Sequence, residues 1–247
     1  MPLTTIHLIR HGEVHNPDKV LYGRLPDFHL SELGRRMAQG VARYFVEAAE
    51  AGRPWGTGLV AVYASPLERA QETAAPLAQA FGLPVREEPD IIEAENHFEG
   101  LSGITSELRN PRHWPYLVNP FRPSWGEAYR AQVARMRGAM ERARVAAESA
   151  GAPHGTEDPH GTETPRGTGV AQREPGGAHI VMVSHQLPIW VTRLAAEGRP
   201  LPHDPRKREC TLTSITSFEF LDGALRSVRY HEPNAPLLAK AANLPGA

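Results

Sequence analysis

The 247-residue sequence predicts an α/β fold: a three-layer sandwich with a mostly parallel central sheet and helices on both faces. Two observations lead there. Short continuous apolar runs, the mark of strands buried on both faces, recur along the chain. Between them lie longer segments of helical periodicity, and that alternation gives a parallel sheet with crossover helices. Composition agrees, since 40% hydrophobic and 22% charged residues are ordinary for a globular protein of a length able to bury a substantial core.

The elements follow in order. Residues 4–9 (Thr-Thr-Ile-His-Leu-Ile) read as the first buried strand, and Arg10-His11-Gly12-Glu13 follows it directly. A loop rich in Gly, Pro and Asp leads to Ser31, suited to cap a helix running to about Ala51. Residues 58–64 form a second buried strand; Pro66 suits the first position of the next helix, which Gly82-Leu83-Pro84 ends before a short strand around Val85. Residues 97–124 are irregular and proline-rich, with Trp114 and Tyr116 beside His113, and are expected to form a substrate lid within one domain spanning 1–247. From Trp125 to about Ala150 the spacing of Val133, Met136, Met140 and Val145 predicts a long helix. Residues 179–184 form another buried strand ending at His185, with a helix expected from about Pro188 to Glu197. Asp222-Gly223, between β-rich runs at 212–221 and 224–231, signals a hairpin that adds antiparallel edge strands. Residues 151–177 carry an imperfect repeat (Pro-His-Gly-Thr-Glu-Asp, Pro-His-Gly-Thr-Glu-Thr, Pro-Arg-Gly-Thr) almost without large apolar side chains. Nothing there offsets the entropy of ordering, so a disordered surface loop is expected.

Several function classes are disfavoured. A formal net charge of −1 supplies no global field for nucleic acid or anionic membrane. No apolar run approaches the roughly 20 residues of a membrane helix. Cys210 is the only cysteine, which rules out an intrachain disulfide. Residues 1–10 run straight into a strand pattern with no basic stretch and long apolar segment ahead of it, so a cytoplasmic protein is the expectation. Oligomeric state is not readable from the chain.

Ligands of an open α/β sheet bind outside the carboxyl ends of its strands. Four pieces of sequence fall there: Arg10-His11-Gly12-Glu13, the run from Ser65 to Ala74 that carries Arg69, Glu93 with Glu99-Gly100, and Ser184-His185. Two arginines and two histidines arriving from three strand ends suggest a pocket for a dianion, because guanidinium presents a planar fork matched to phosphate oxygens and stays charged. Gly12 is expected to let the backbone turn sharply and approach a ligand.

These residues carry a resemblance. Leu8-Ile9-Arg10-His11-Gly12-Glu13 resembles the Arg-His-Gly signature of the histidine phosphatase superfamily, which includes the cofactor-dependent phosphoglycerate mutases. The likeness continues through Gly23, Leu30-Ser31-Glu32-Leu33-Gly34, the Ser-Pro-Leu-x-Arg-Ala-x-Glu-Thr-Ala run at 65–74 and Val183-Ser184-His185. Four blocks in order, each behind an expected strand, are specific where the tripeptide alone is weak.

The resemblance implies a phosphoglycerate mutase-like fold and a role for each residue. His11 would attack phosphorus and form a phosphohistidine, its other ring nitrogen donating to a carbonyl that fixes the tautomer. Arg10, Arg69 and His185 would hold the equatorial oxygens. Glu93 would protonate the leaving oxygen and then activate water, with Glu95, two residues on, as the alternative. Asn16 would add a donor to the phosphate, though it lies one position nearer the nucleophile than in typical mutases. Neither a metal nor another cofactor is called for, and the expected partner is a small phosphorylated substrate. The bland alternatives are that Arg10 and Arg69 form ordinary ion pairs and that His185 is a core histidine. Mutases usually carry a Ser and Trp-Asn after the signature and an adjacent arginine pair in the cap; here stand Val14-His15-Asn16 and the separated Arg109, Arg112 and Arg122. The expectation is therefore hydrolysis of a phosphate monoester, with a mutase as runner-up and a phosphate-binding regulatory protein as a third reading.

Overall fold

A computed structural model of the chain describes residues 3–102, 110–117, 125–151, 177–239 and 241. The expected 151–177 loop lies outside them apart from its two ends, and of the expected lid only 97–102 and 110–117 fall within them.

The six strands are β1 (Leu3–Arg10), β2 (Leu59–Ala64), β3 (Val85–Glu87), β4 (Ala178–Ser184), β5 (Ile215–Leu221) and β6 (Ala224–His231). They form one sheet in the order β3-β2-β4-β1-β5-β6. β1, β2, β3 and β4 pair in parallel, whereas β5 runs antiparallel to β1 and β6 antiparallel to β5. The hairpin thus extends the parallel sheet, and of its two strands only β6 is an edge. Asp222 and Gly223 both have positive φ, 51° and 74°, the conformation of a two-residue turn that matches strand twist.

Helices cover both faces. α1 (Glu32–Glu50) and α3 (Glu68–Ala80) pack on one, joined by a short α2 (Pro54–Thr57) that the sequence pattern did not suggest. Phe45, Leu77, Val181, Val183 and Ile9 form that core layer. α4 (Tyr129–Gly151) and α5 (Gln186–Ala196) cover the other, where Ile6, Leu8, Met136, Met140, Ile180, Met182, Ile189 and Phe218 pack together. A short α6 (Ala235–Leu238) follows β6. Neighbouring β1 residues serve opposite layers, which is why its run is apolar without alternation. Each such side chain taken from water contributes roughly 1.5–3 kcal/mol. No helix among the described residues is long and apolar enough to cross a membrane.

Three local expectations need correction. Val145 is exposed; the buried stripe of α4 runs through Val133, Met136, Met140, Ala143 and Ala147, at alternating spacings of three and four. Pro66 is not the first residue of α3, which starts at Glu68: the Leu67 N–H reaches Ser65 Oγ at 3.5 Å, and this side-chain-closed turn occupies 65–67. α5 starts at Gln186, two residues before Pro188, because a helix's first N–H groups have no intrahelical acceptor and a proline third in line costs nothing there. Ser31 does cap α1, its Oγ accepting from the Gly34 N–H at 3.0 Å.

Candidate active site

The carboxyl ends of β1, β2 and β4 are adjacent, and the ladder continues one residue past β1 and β2. His11 N–H donates to Ser184 O at 3.0 Å, and Ser65 N–H to Val183 O at 2.9 Å. Arg10, His11, Ser65 and His185 are therefore positioned by buried sheet, and all four are themselves buried.

His11 is fully buried, with Nδ1 2.8 Å from the carbonyl oxygen of Gly12. A carbonyl only accepts, so Nδ1 carries the proton and Nε2 keeps its lone pair. Burial, with Arg69 and Arg10 adding like-charge repulsion, holds the imidazole well below its ordinary pKa, so the ring is neutral. His185 lies with its ring centroid 5.1 Å from that of His11, and its Nε2 is 2.8 Å from Ser65 Oγ. It too is held low by burial first, then by Arg69 and His11.

Arg69, at the start of α3, has no exposed surface; its Nη2 donates to the Gly23 carbonyl, and its guanidinium lies 4.7 Å from the ring centroid of Tyr22. Arg10 Nη1 donates to Cys210 O at 2.7 Å. Neither guanidinium meets a carboxylate in an ion pair among the described residues. What remains unpartnered there is a coherent set: His11 Nε2, Arg10 Nε, Arg69 Nε and Nη1, His185 Nδ1 and Tyr22 Oη. Buried polar atoms are rarely left so. Guanidinium donors, an imidazole lone pair and a phenol grouped this way have the chemistry to receive a small anion.

Glu93 follows a 3₁₀ turn (Pro89–Ile91) beyond β3. Its Oε1 accepts from the Ala94 N–H at 2.8 Å, and burial raises its pKa against the opposing pull of that bond, Arg69, Arg208 and Arg10. Its backbone is clamped: Arg24 Nε and Arg135 Nη2 both donate to the Glu93 carbonyl, and the two arginines share Glu127. Glu95, the alternative acid, has a side chain 68% exposed that pairs with Arg24. Asn16 is buried, with Oδ1 accepting from Val20 N–H at 3.0 Å and Nδ2 donating to Val20 O at 2.8 Å, so its amide closes the loop from 16 to 20. Glu13 takes a hydrogen bond from Ser31 Oγ, tying the signature to the α1 cap.

Gly12 is needed for a different reason from the one its sequence context suggests. It is not among the residues of positive φ; a Cβ there would stand 2.8 Å from the Gly34 carbonyl oxygen in α1. Tyr22, Arg135 and Arg208 were not apparent as site residues in the sequence. None follows a strand end, and the only hint was Tyr22 standing beside the family-like Gly23. Among the described residues no group of three or more His, Cys, Asp or Glu is placed to hold a metal.

Fold and site together define an α/β protein with buried guanidinium and imidazole groups gathered at the carboxyl ends of its parallel strands. The chain belongs to the histidine phosphatase superfamily: the model of its branch 1 matches residues 6–152. It is 43% identical over 234 residues to the uncharacterized protein Rv0525 of Mycobacterium tuberculosis, covering 94% of this chain and 98% of that one. A solved structure of mycobacterial glucosyl-3-phosphoglycerate phosphatase aligns with TM-score 0.62 at 22% identity, over 93% of this chain and 96% of the other. Phosphoserine phosphatase of Entamoeba histolytica, in complex with phosphoserine, aligns with TM-score 0.59 at 21% identity over 91% and 96%. At such identities the structural likenesses show a common fold, shared with phosphatases.

Proposed function

We infer that the chain hydrolyses a phosphate monoester of a small metabolite through a phosphohistidine at His11. The observation that carries this reading is the set of unpartnered buried atoms around His11 Nε2. The Arg69 and Arg10 guanidiniums lie close enough to act on the His11 ring, and each keeps an unpartnered donor. In the proposed first step Nε2 attacks phosphorus, the P–O bond to the alcohol breaks, and Glu93 gives its proton to the departing oxygen. The Gly12 carbonyl stabilises the imidazole as it gains positive charge, because the Nδ1–H already points at it. Arg10, Arg69 and His185 stabilise the charge on the transferring phosphoryl oxygens, and Tyr22 Oη is placed to add a neutral donor. In the second step Glu93, now a carboxylate, takes a proton from water, which attacks phosphorus and releases His11 and inorganic phosphate. The raised pKa of Glu93 suits the first half, and the neutral state of His11 leaves it ready without prior deprotonation.

A paired assay on one preparation tests the reading, comparing phosphate release from p-nitrophenyl phosphate with interconversion of 2- and 3-phosphoglycerate in the presence of the bisphosphate primer. Release is expected to dominate. Interconversion outrunning release by about a hundredfold, near 2.7 kcal/mol in barrier height, would identify a mutase instead.

A further inference from the structure

Next to the phosphate pocket lies a cavity of about 90 Å³ whose lining includes Glu93, Gln132, Gln186, Leu187 and Arg208. Most of the charge around it is internally matched, Arg24 pairing with Glu95 and Glu127, and Arg135 with Glu127. Arg208 is the exception. It forms no ion pair among the described residues; its partners are neutral, Nε donating to His203 Nε2 at 2.9 Å and Nη1 to Gln186 Oε1 at 3.2 Å. Glu93 attracts it only from beyond ion-pair distance. His203 in turn donates from Nδ1 to Leu201 O at 2.7 Å, so its Nε2 is the acceptor that fixes the rotation of the guanidinium.

A guanidinium has five N–H donors, and the two bonds to His203 and Gln186 leave the terminal Nη1–Nη2 edge with donors in hand. A partly buried cation held rigidly without a counter-charge is costly, and it is the arrangement expected where a ligand brings the negative charge. The same residues link this edge to the reaction centre. Gln186 Nε2 donates to Cys210 O at 3.4 Å, the carbonyl that also takes the bond from Arg10 Nη1.

We propose that Arg208, oriented by His203 and Gln186, is the binding site for a carboxylate of the substrate, so that the chain selects phosphorylated carboxylic acids over phosphate esters of neutral alcohols. One guanidinium with neutral helpers balances one negative charge. The neighbouring phosphate pocket sets two guanidiniums and two imidazoles against a dianion. Glu95 and Glu127 line the Arg208 cavity as well, which disfavours a second phosphate there. The two coplanar oxygens of a carboxylate match the remaining edge of the fork.

The proposal rests on the phosphatase reading, and binding separates the two. The pair 3-phosphoglycerate and glycerol 3-phosphate share a phosphate and a three-carbon skeleton and differ by a carboxylate. Titration calorimetry on the His11→Ala variant, which should turn over neither, is expected to show 3-phosphoglycerate bound at least about tenfold tighter, the scale of one charge-assisted hydrogen-bonded contact. Adding Arg208→Ala should bring the two affinities together, and adding Arg208→Lys, which keeps the charge and loses the fork, should retain part of the preference. Inorganic phosphate titrated into each variant shows whether the fold and the phosphate pocket are intact; if Arg208→Ala fails that control, the Lys variant alone must show a reduced preference. Equal affinities in the parent, failure of both compounds to bind, a preference that persists in Arg208→Ala, or one undiminished in Arg208→Lys would overturn the assignment. Absence of phosphate release from p-nitrophenyl phosphate by the wild-type chain would instead count against the phosphatase reading.

Discussion

Substituting Gly12 by alanine is the sharpest local test of how His11 is held. The new Cβ would meet the Gly34 carbonyl oxygen at 2.8 Å and Gly34 Cα at 3.2 Å, where ordinary contact begins near 3.4 Å. Both neighbours are backbone atoms of the first turn of α1, so no side chain can swing away. Relief requires the signature loop and α1 to separate by about 0.6 Å, and overpacking of this kind costs typically 1–3 kcal/mol. For a domain of this size that lowers the thermal midpoint by roughly 2–4 °C per kcal/mol. The moving peptide carries the Gly12 carbonyl that fixes the His11 tautomer and the Gly12 N–H that donates to Thr73 Oγ1 at 3.0 Å. Misplacement approaching 1 Å at a reacting centre costs up to about a hundredfold, so kcat/KM for Gly12→Ala is expected to fall by about tenfold to a hundredfold. Gly34→Ala should be worse, because its Cβ would fall 2.0 Å from the Glu13 carbonyl oxygen. Calorimetric melting and p-nitrophenyl phosphate kinetics on both variants decide the matter. A Gly12→Ala protein with wild-type midpoint and turnover would refute the claim that this backbone contact sets the nucleophile.

Other consequences concern protons and the helix cap. In the proposed mechanism turnover needs Glu93 protonated and His11 neutral; with Glu93 raised and His11 lowered, kcat/KM should persist above the usual carboxylate range, fall as pH climbs through the Glu93 pKa, and fall in acid only when His11 protonates. Glu93→Gln should cost about 10²–10⁴ with poor leaving groups and erase the alkaline limb, and an unchanged pH profile would remove Glu93 from the role. His7, on β1, is pushed down to about 3 by burial, aided by His179. The unfolded chain therefore takes up a proton that the folded chain refuses between about pH 6.5 and pH 3, so the stability present above that window is lost as pH falls through it, by up to about 1.4 kcal/mol per pH unit. His7→Gln should flatten that slope in denaturant titrations at pH 5 and 7, and an identical slope in both proteins would contradict the assignment. Ser31→Ala removes the α1 cap and the partner of Glu13 and should cost about 1 kcal/mol, read as a lower urea midpoint.

The strand ends were legible because strands buried on both faces read as uninterrupted apolar runs. A polar residue standing immediately after such a run is conspicuous, as with Arg10, His11 and His185. Ser31 was legible because a cap is a local interaction between neighbours in sequence. Glu93 is favoured over Glu95 in sequence only by its place directly after Ile91-Ile92; the fold adds that Glu95 is turned outward to Arg24. The clamp of Arg24 and Arg135 on the Glu93 carbonyl joins residues far apart in the chain and leaves no periodic trace. Arg208 stands in a loop without a strand end or a motif beside it, so its place next to Glu93 emerges only when β5 returns antiparallel to β1. Val145 misled because it lies near the apolar stripe of α4, and spacing alone does not show where the stripe ends.

The claim at the centre of this account is that His11 Nε2 forms a bond to phosphorus. Rapid acid quenching with a phosphorus-labelled ester, followed by alkaline denaturing gels and peptide mapping, tests it directly. The expected result is a base-stable, acid-labile label on the peptide containing His11, formed within the first turnover and missing from His11→Ala. An acid-stable label, or one carried by another residue, would contradict it.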